Sequence, residues 1–406
     1  MPPSDTAIDL LRRLVAFDTT SRNSNFPLIE FVEAYLADLG ISSRRVLHTD
    51  DKANLYATIG PSEEVRARPG IALSAHTDVV PVDGQDWATD PWTVTEQDGR
   101  LYGRGTADMK GFLAVVLAAL PRFVAADLET PLHLVCSPDE EVGCVGVLPL
   151  LADLEARDAR PQLAIIGEPS SMGVIAAHKG HYAYRCHLRG IEAHSSFAPR
   201  AVNAIEYGAR LVTRINDIAR RKADAGPFDE AFPVAHTTLH TGVFQGGTAF
   251  NIVPRHAHFD FEIRTVGDDT DAELFGEIER YATGDLLQEM QTIYSDAAIE
   301  FEVLSSTRGL DTQPDEAVIA EALALTEGLS TAELPVGKVN PPDRARAVGK
   351  VNYATEAGLF QAAGIPAVVC GPGSIDQAHG PNEYVDLDQL ARAEVFMDRL
   401  LARLSG

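Results

Sequence analysis

Basic residues are scarce in this chain. Its 34 Lys and Arg stand against 59 Asp and Glu, a formal charge of -25. Nucleic acid and anionic membrane both need a basic face, so neither is expected as a partner. The acidity reads first as a solubility feature, and second as a field that draws in a cationic substrate. Cysteine is also scarce: Cys136, Cys144, Cys186 and Cys370 form no C-x-x-C pair. That usage fits reduced, mostly buried thiols in a cytoplasm. No apolar run is long enough to span a bilayer. The opening Met-Pro-Pro-Ser-Asp-Thr lacks the basic-then-apolar pattern of a signal peptide. Internal repeats and low-complexity tracts are missing too. The remainder is 45% hydrophobic and 23% charged, an ordinary soluble composition, and 406 residues are too many for one core, so two domains are expected.

Against that background five short segments stand out, each carrying a metal-type ligand at the mouth of an expected strand. They are Ala75-His76-Thr77-Asp78, Gly105-Thr106-Ala107-Asp108-Met109-Lys110, Asp139-Glu140-Glu141, Gly167-Glu168-Pro169 and Ala378-His379-Gly380. Singly each is ordinary: Asp108 reads as a helix cap, and adjacent acids usually face solvent. Together they offer two imidazoles and three carboxylates, which suit two zinc-like ions sharing a bridging carboxylate. One member of the Glu140-Glu141 pair is then left as a general base. Asp78, two residues past His76 on extended backbone, shares its side and can hold the imidazole in one tautomer. His178, His181, His187 and His194 cluster without obvious purpose, and only the Ala193-His194-Ser195-Ser196 context singles out His194. His256 and His258 alternate along a strand and read as structural, and Cys136 and Cys144 as small packed hydrophobes.

Helices are expected from Thr6 to Phe17 behind a Ser4 or Asp5 cap, and from Pro27 to Leu39 ahead of a Gly40 C-cap. Strands at 54–59, 70–75, 131–136 and 163–166, with a helix at 111–123, predict an α/β domain whose main sheet is buried on both faces. Ligands at the C-terminal ends of such strands fit the usual site in open sheets. After about residue 179 the texture changes. Period-two strands at 182–188, 237–244, 257–264 and 299–304, with helices at 201–219 and 271–294, give the order βαββαβ of a small ferredoxin-like α+β domain. Since His379 lies beyond it, the expected division is a discontinuous catalytic domain, 1–179 and 306–406, with 180–305 inserted. A helix at 315–329, a strand at 367–370 and a helix from Asp388 complete the chain. Pro335–Lys350, polar and proline-interrupted, is expected to be a surface loop, with a lid as the weaker alternative.

These segments resemble the co-catalytic zinc aminoacylase and carboxypeptidase family over nearly the whole length. Ala75–Asp78, Gly105–Gly111, Asp139–Glu141 and Ile166–Ser170 mark the family broadly. Ala177–His181, Tyr353–Ala357 and Gly371–His379 are more like its ornithine branch than its desuccinylase branch. The resemblance implies a dinuclear-zinc aminopeptidase/carboxypeptidase-like catalytic domain with an inserted dimerisation and lid domain, assembled as a homodimer. It implies two divalent ions, zinc first with cobalt or manganese as alternatives. Asp108 would bridge them, His76 and Glu168 completing one site and Glu141 and His379 the other, with Glu140 as base and proton shuttle. His194 of the partner subunit would serve the oxyanion. Asn251 and Arg264 would meet the substrate carboxylate with Lys179 beside them, Glu356 would meet a side-chain ammonium, and Gly373 would line the substrate side.

The implied substrate is a small N-acyl amino acid, N2-acetyl-L-ornithine before succinyl-diaminopimelate, with broader deacylase or carboxypeptidase activity as a further alternative. A catalytically silent binding relative would need a broken ligand set, and no ligand is missing. Two departures from the family pattern are the Pro335–Lys350 insertion and Asn382, where an Asp is common.

Overall fold

Strands Leu132–Ser137, Ile71–His76, Leu163–Ile166 and Ala367–Val369 run parallel and side by side, and every residue in them is buried. Continuous apolar strands of this kind need cover on both faces. Alternate residues accordingly enter two different cores: Leu73, Leu134 and Ile165 on one face, Ala72, Val135 and Ile166 on the other. Helices Asp5–Val15, Lys110–Ala125 and Leu387–Leu404 cover the first face, and Leu148–Ala156 with Ala357–Ala362 cover the second.

The computed structural model describes residues 2–313, 316–331 and 348–406. It divides into two compact units, Met1–His178 with Leu310–Val351 and Thr355–Gly406, and Lys179–Gly309 with Asn352–Ala354. Pro335–Lys350 lies outside the described residues up to position 347, as does the expected helix start at Asp315. In the first unit, among the described residues, the four parallel strands form the centre of a nine-stranded mixed sheet. Its flanks are Ala53–Ile59 and Ser43–Leu47 on one side, and Ile175–His178, Leu310–Asp311 and Gly349–Val351 on the other. The polar edge strand Ser43–Leu47 and a small sheet of Thr95–Gln97, Arg100–Tyr102 and Tyr384–Asp386 have no apolar alternation to announce them. Ser4 caps the first helix, its Oγ accepting from the Ala7 N–H at 3.2 Å. Gly40 follows the second helix at φ 73°, a left-handed conformation that a side chain would strain.

The second unit is an antiparallel sheet in the order Thr238–Gly246, His256–Thr265, Gly180–Arg189, Ala298–Thr307. With helices Ala204–Ala225 and Asp271–Arg280 this is the ferredoxin-like βαββαβ arrangement. The second helix runs on to Ile293 through a wider turn at Tyr281–Leu286. One sheet face carries the core, including Cys186, Phe259, Phe261 and Ile263. Full burial of a phenylalanine there contributes about 1.5–3 kcal/mol. The other face is polar, with Arg185 Nε 2.7 Å from Asp260 and His187 Nε2 3.2 Å from Glu302. Among the described residues no helix is long and apolar enough to cross a membrane.

Candidate metal centre and active site

Parallel strands deliver their C-terminal ends to one edge, and this edge collects the ligands. His76 is the last residue of its strand, Glu140 and Glu141 follow Ser137, Glu168 follows Ile166, and the segment after Val369 leads to His379. Asp108 enters from the turn before helix Lys110–Ala125. Its two oxygens face different partners: Oδ1 lies 2.9 Å from His76 Nε2, and Oδ2 lies 3.3 Å from His379 Nε2. His76 Nε2 is also 3.7 Å from Glu168 Oε1, and His379 Nε2 is 2.9 Å from Glu141 Oε2. The result is two ligand triads, His76–Asp108–Glu168 and Asp108–Glu141–His379, sharing one carboxylate.

The electrostatics of this cluster call for cations. Burial pushes Glu141 and Glu168 each up to about 7, and the charge of Asp108 adds to both shifts. Burial, and next to it Glu168, raises Glu140 well above the carboxylate range. For Asp108 burial works upward too, but hydrogen bonds from His379 and His76 outweigh it and hold the group below the usual range. Those hydrogen bonds to Asp108 and Glu141 lift His379 to about 11. Among the described residues, Glu168 Oε1 is buried with no hydrogen-bond partner. Imidazole nitrogens and carboxylate oxygens, short of positive charge and with an orphaned buried oxygen, fit a pair of divalent ions.

Asp78 does hold His76, but by a different atom than the spacing suggests. The imidazole Nδ1 sits 2.9 Å from the Asp78 main-chain carbonyl, while the Asp78 carboxylate stands 3.7 Å away. That carboxylate instead accepts from the Ser21 hydroxyl at 2.7 Å and from the N–H groups of Glu140 and Glu141 at 3.1 and 3.3 Å. It therefore positions the acid pair. Asp139 anchors the same turn from outside through Lys52 Nζ at 2.6 Å and His48 Nε2 at 3.3 Å. Glu140 belongs to neither triad, and the Cys144 thiol donates to its Oε1 at 3.2 Å. Cys144 thus does more than pack. Glu356 is 1% exposed; its Oε2 accepts from Ser74 Oγ at 3.5 Å, its Oε1 has no hydrogen-bond partner among the described residues, and burial pushes its carboxyl up to about 8.

One contributor escaped the sequence reading. Glu383 is buried behind the Asp108 turn, where its Oε1 accepts from the N–H groups of Ala107 (2.9 Å) and Asp108 (3.0 Å). Its Oε2 accepts from the Gly105 N–H (2.9 Å) and Arg104 Nη1 (2.8 Å). The only hint was its place in Gly380-Pro381-Asn382-Glu383. Asn382 itself sits at φ 59° and accepts the Ala88 N–H at 2.7 Å, a left-handed turn position that Asn tolerates well. Gly373, at φ 84°, lays its backbone against Ala107, where a Cβ would meet the Ala107 Cβ at 3.2 Å. Gly371 is tighter still, since a Cβ there would stand 2.0 Å from the Gly167 carbonyl beside Glu168.

The remaining candidates lie in the second unit. His194 and Asn251 are brought together: the Ser195 N–H donates to the Asn251 carbonyl at 3.0 Å, and His194 bridges Ile252. His194 Nδ1 accepts the Ser196 N–H at 3.2 Å, so a neutral ring carries its proton on Nε2. The Arg264 fork is engaged by Glu262, Nε to Oε1 at 3.0 Å and Nη2 to Oε2 at 3.2 Å, with His181 Nε2 3.0 Å from the same carboxylate. Lys179 is buried and donates to the His236 carbonyl at 2.7 Å, and burial, then the charge of Arg264, lowers it to about 8.

The pattern of peptidase family M20/M25/M40 matches residues 72–403. Acetylornithine deacetylase of Myxococcus xanthus is 35% identical over 98% of this chain and 97% of its own length. An M20-family metallo-carboxypeptidase from Sulfolobus solfataricus superposes with a TM-score of 0.75 at 18% identity, covering 99% of both chains. A dinuclear metal-binding M20 peptidase from Bacillus subtilis gives 0.64 at 15% identity, covering 98% of this chain and 97% of its own. With the pattern spanning most of the sequence and a relative aligned almost end to end, the chain belongs to peptidase family M20/M25/M40.

Proposed function

We propose that this chain hydrolyses N2-acetyl-L-ornithine to L-ornithine and acetate, a step of arginine biosynthesis carried out in the cytoplasm. The observation that carries the reaction class is Asp108, shared between two His–carboxylate triads while Glu140 stands outside both. The substrate follows from relatives named acetylornithine deacetylase that align with nearly the whole chain. Zinc is the proposed ion, with His76, Asp108 and Glu168 holding one and Asp108, Glu141 and His379 the other; cobalt and manganese are the alternatives. When bound, such a pair supplies the Lewis acidity that makes water nucleophilic near neutral pH.

The protein's own groups then have distinct tasks. Glu140 takes the proton of the attacking water and returns it to the departing α-amine. Asp78 and the Cys144 thiol keep that carboxylate in place. The inserted domain, 180–305, serves as a lid and forms a homodimer, so that His194 of the partner subunit offers its Nε2 proton to the developing oxyanion, a donor worth about 2.7–4 kcal/mol. Arg264, Asn251 and Lys179 receive the α-carboxylate, Gly373 lines the approach, and Glu356, with one oxygen unpartnered among the described residues, receives the side-chain ammonium.

The test is a kinetic panel after metal loading: N2-acetyl-L-ornithine, N-succinyl-LL-diaminopimelate and N-acetyl-L-methionine. The expected result is the highest kcat/KM on the ornithine derivative, reduced selectively in Glu356→Gln. Equal or better turnover of the succinyl compound would refute the substrate, and no turnover of any of them would indicate a silent relative.

A further inference from the structure

We propose that Glu383 is a positioning residue of the metal centre, aiming the bridging Asp108 and, through Arg104, tying it to the loop that carries His379. The proposal rests on the reading of Asp108 as the shared ligand. Three amides of one turn, those of Gly105, Ala107 and Asp108, point at one carboxylate, a concave cluster of N–H groups built for a negative charge. The Asp108 N–H is among them, so the backbone from which the bridging side chain springs has little freedom to rotate. Both ends of the Arg104–Glu383 pair are essentially inaccessible, at 1% and 0% exposure.

His379 needs such an anchor more than the other ligands do. Its side chain is 54% exposed, its φ is 63°, and it follows a stretch of non-strand backbone. Its carbonyl accepts from Gln85 Nε2 at 2.8 Å and from Arg104 Nη2 at 3.4 Å, and Arg104 Nη2 also donates to Gln85 Oε1 at 2.7 Å. Glu383, four residues after His379, grips the Asp108 turn directly and Arg104 with it. One buried carboxylate therefore sets the aim of Asp108 Oδ1 toward His76 and the spacing of Asp108 Oδ2 from His379.

The test compares wild type, Glu383→Gln and Gln85→Ala by zinc titration of the metal-stripped, folded chains, and by the visible spectrum of the cobalt-substituted forms. In Glu383→Gln the amide presents an N–H to donors that need an acceptor. Both zinc affinities should fall by about tenfold to a hundredfold, with an altered cobalt spectrum. Gln85→Ala should weaken only the second zinc. A role confined to holding the fold would lower the melting temperature and leave both affinities in place. Two zinc ions bound by Glu383→Gln at wild-type affinity, with a wild-type cobalt spectrum, would overturn the proposal. If that variant does not fold, unchanged second-zinc affinity in Gln85→Ala overturns it instead. A wild-type chain that binds fewer than two ions removes the shared-ligand reading and this inference with it.

Discussion

Replacing Arg104 by Met keeps most of the side-chain volume and removes the charge that faces Glu383. At 2.8 Å the pair attracts by about 6 kcal/mol at an effective dielectric constant of about 20. Glu383 would keep its three N–H donors, so the net cost is the ordinary one for breaking a buried pair, about 3–5 kcal/mol. The first unit has roughly 270 residues, which implies an unfolding entropy near 0.57 kcal/mol/K and a Tm lowered by about 7 °C. Scanning calorimetry of the metal-free protein at neutral pH reads this directly. The double variant with Glu383→Gln should lose at least about 1.5 kcal/mol less than the sum of the two single variants, because the second change removes the stranded charge. A Tm shift under about 2 °C, or simple additivity, would refute the account of Arg104 as the counter-charge of Glu383.

Glu140→Gln should lower kcat by about 10²–10⁴ while two metal ions remain bound, and loss of metal with activity would remove its assignment as base. Chelation should abolish turnover and lower Tm, since ions present at a thousand times their Kd stabilise the fold by about 4 kcal/mol; an unchanged melt would argue against the metal centre. In the second unit, His181 and then Arg264 hold Glu262 down to about 2, against 4.5 for a free side chain. Its folded pKa is depressed, so the stability it contributes is present above about 4.5 and is lost as pH falls toward 2. Urea unfolding from pH 6 to pH 3 should therefore show a shallower decline in Glu262→Gln than in wild type, and parallel curves would count against the pairing.

The metal-type residues were legible because their chemistry lies in side chains placed beside apolar strands. His76, Asp108, Glu168, His379 and the Glu140–Glu141 pair could be named, with Glu141 singled out as the ligand by the family resemblance, and the structure gathers all five ligands. Glu383 was not legible, because three of its four partners are amide groups 275 to 278 positions away, and amides leave no trace in a sequence. The atom by which Asp78 holds His76 was invisible for a similar reason: spacing reports which side a residue faces, while the contact is made by the main chain. In the sheets, alternation revealed the long strands of the second unit. It could not reveal two- and three-residue strands such as Leu310–Asp311 and Tyr384–Asp386, which contain too few residues to show a period.

Strand Ala367–Val369 pairs with Leu163–Ile166, so two neighbours in the middle of the large sheet are joined by about two hundred residues of chain. Closing a flexible loop of that length costs roughly 5 kcal/mol in entropy before any contact offsets it. The ferredoxin-like unit relieves part of that cost by its own topology. Its first and last strands lie side by side, His181 opposite Thr307, so once folded it returns the chain close to where it left. Assembly in which the insert forms first shortens the loop to about 75 residues, which lowers the closing cost by roughly 1 kcal/mol. A short turn replacing the insert should then permit the large sheet to form, and a destabilised insert should slow the folding of the sheet that holds the metal ligands.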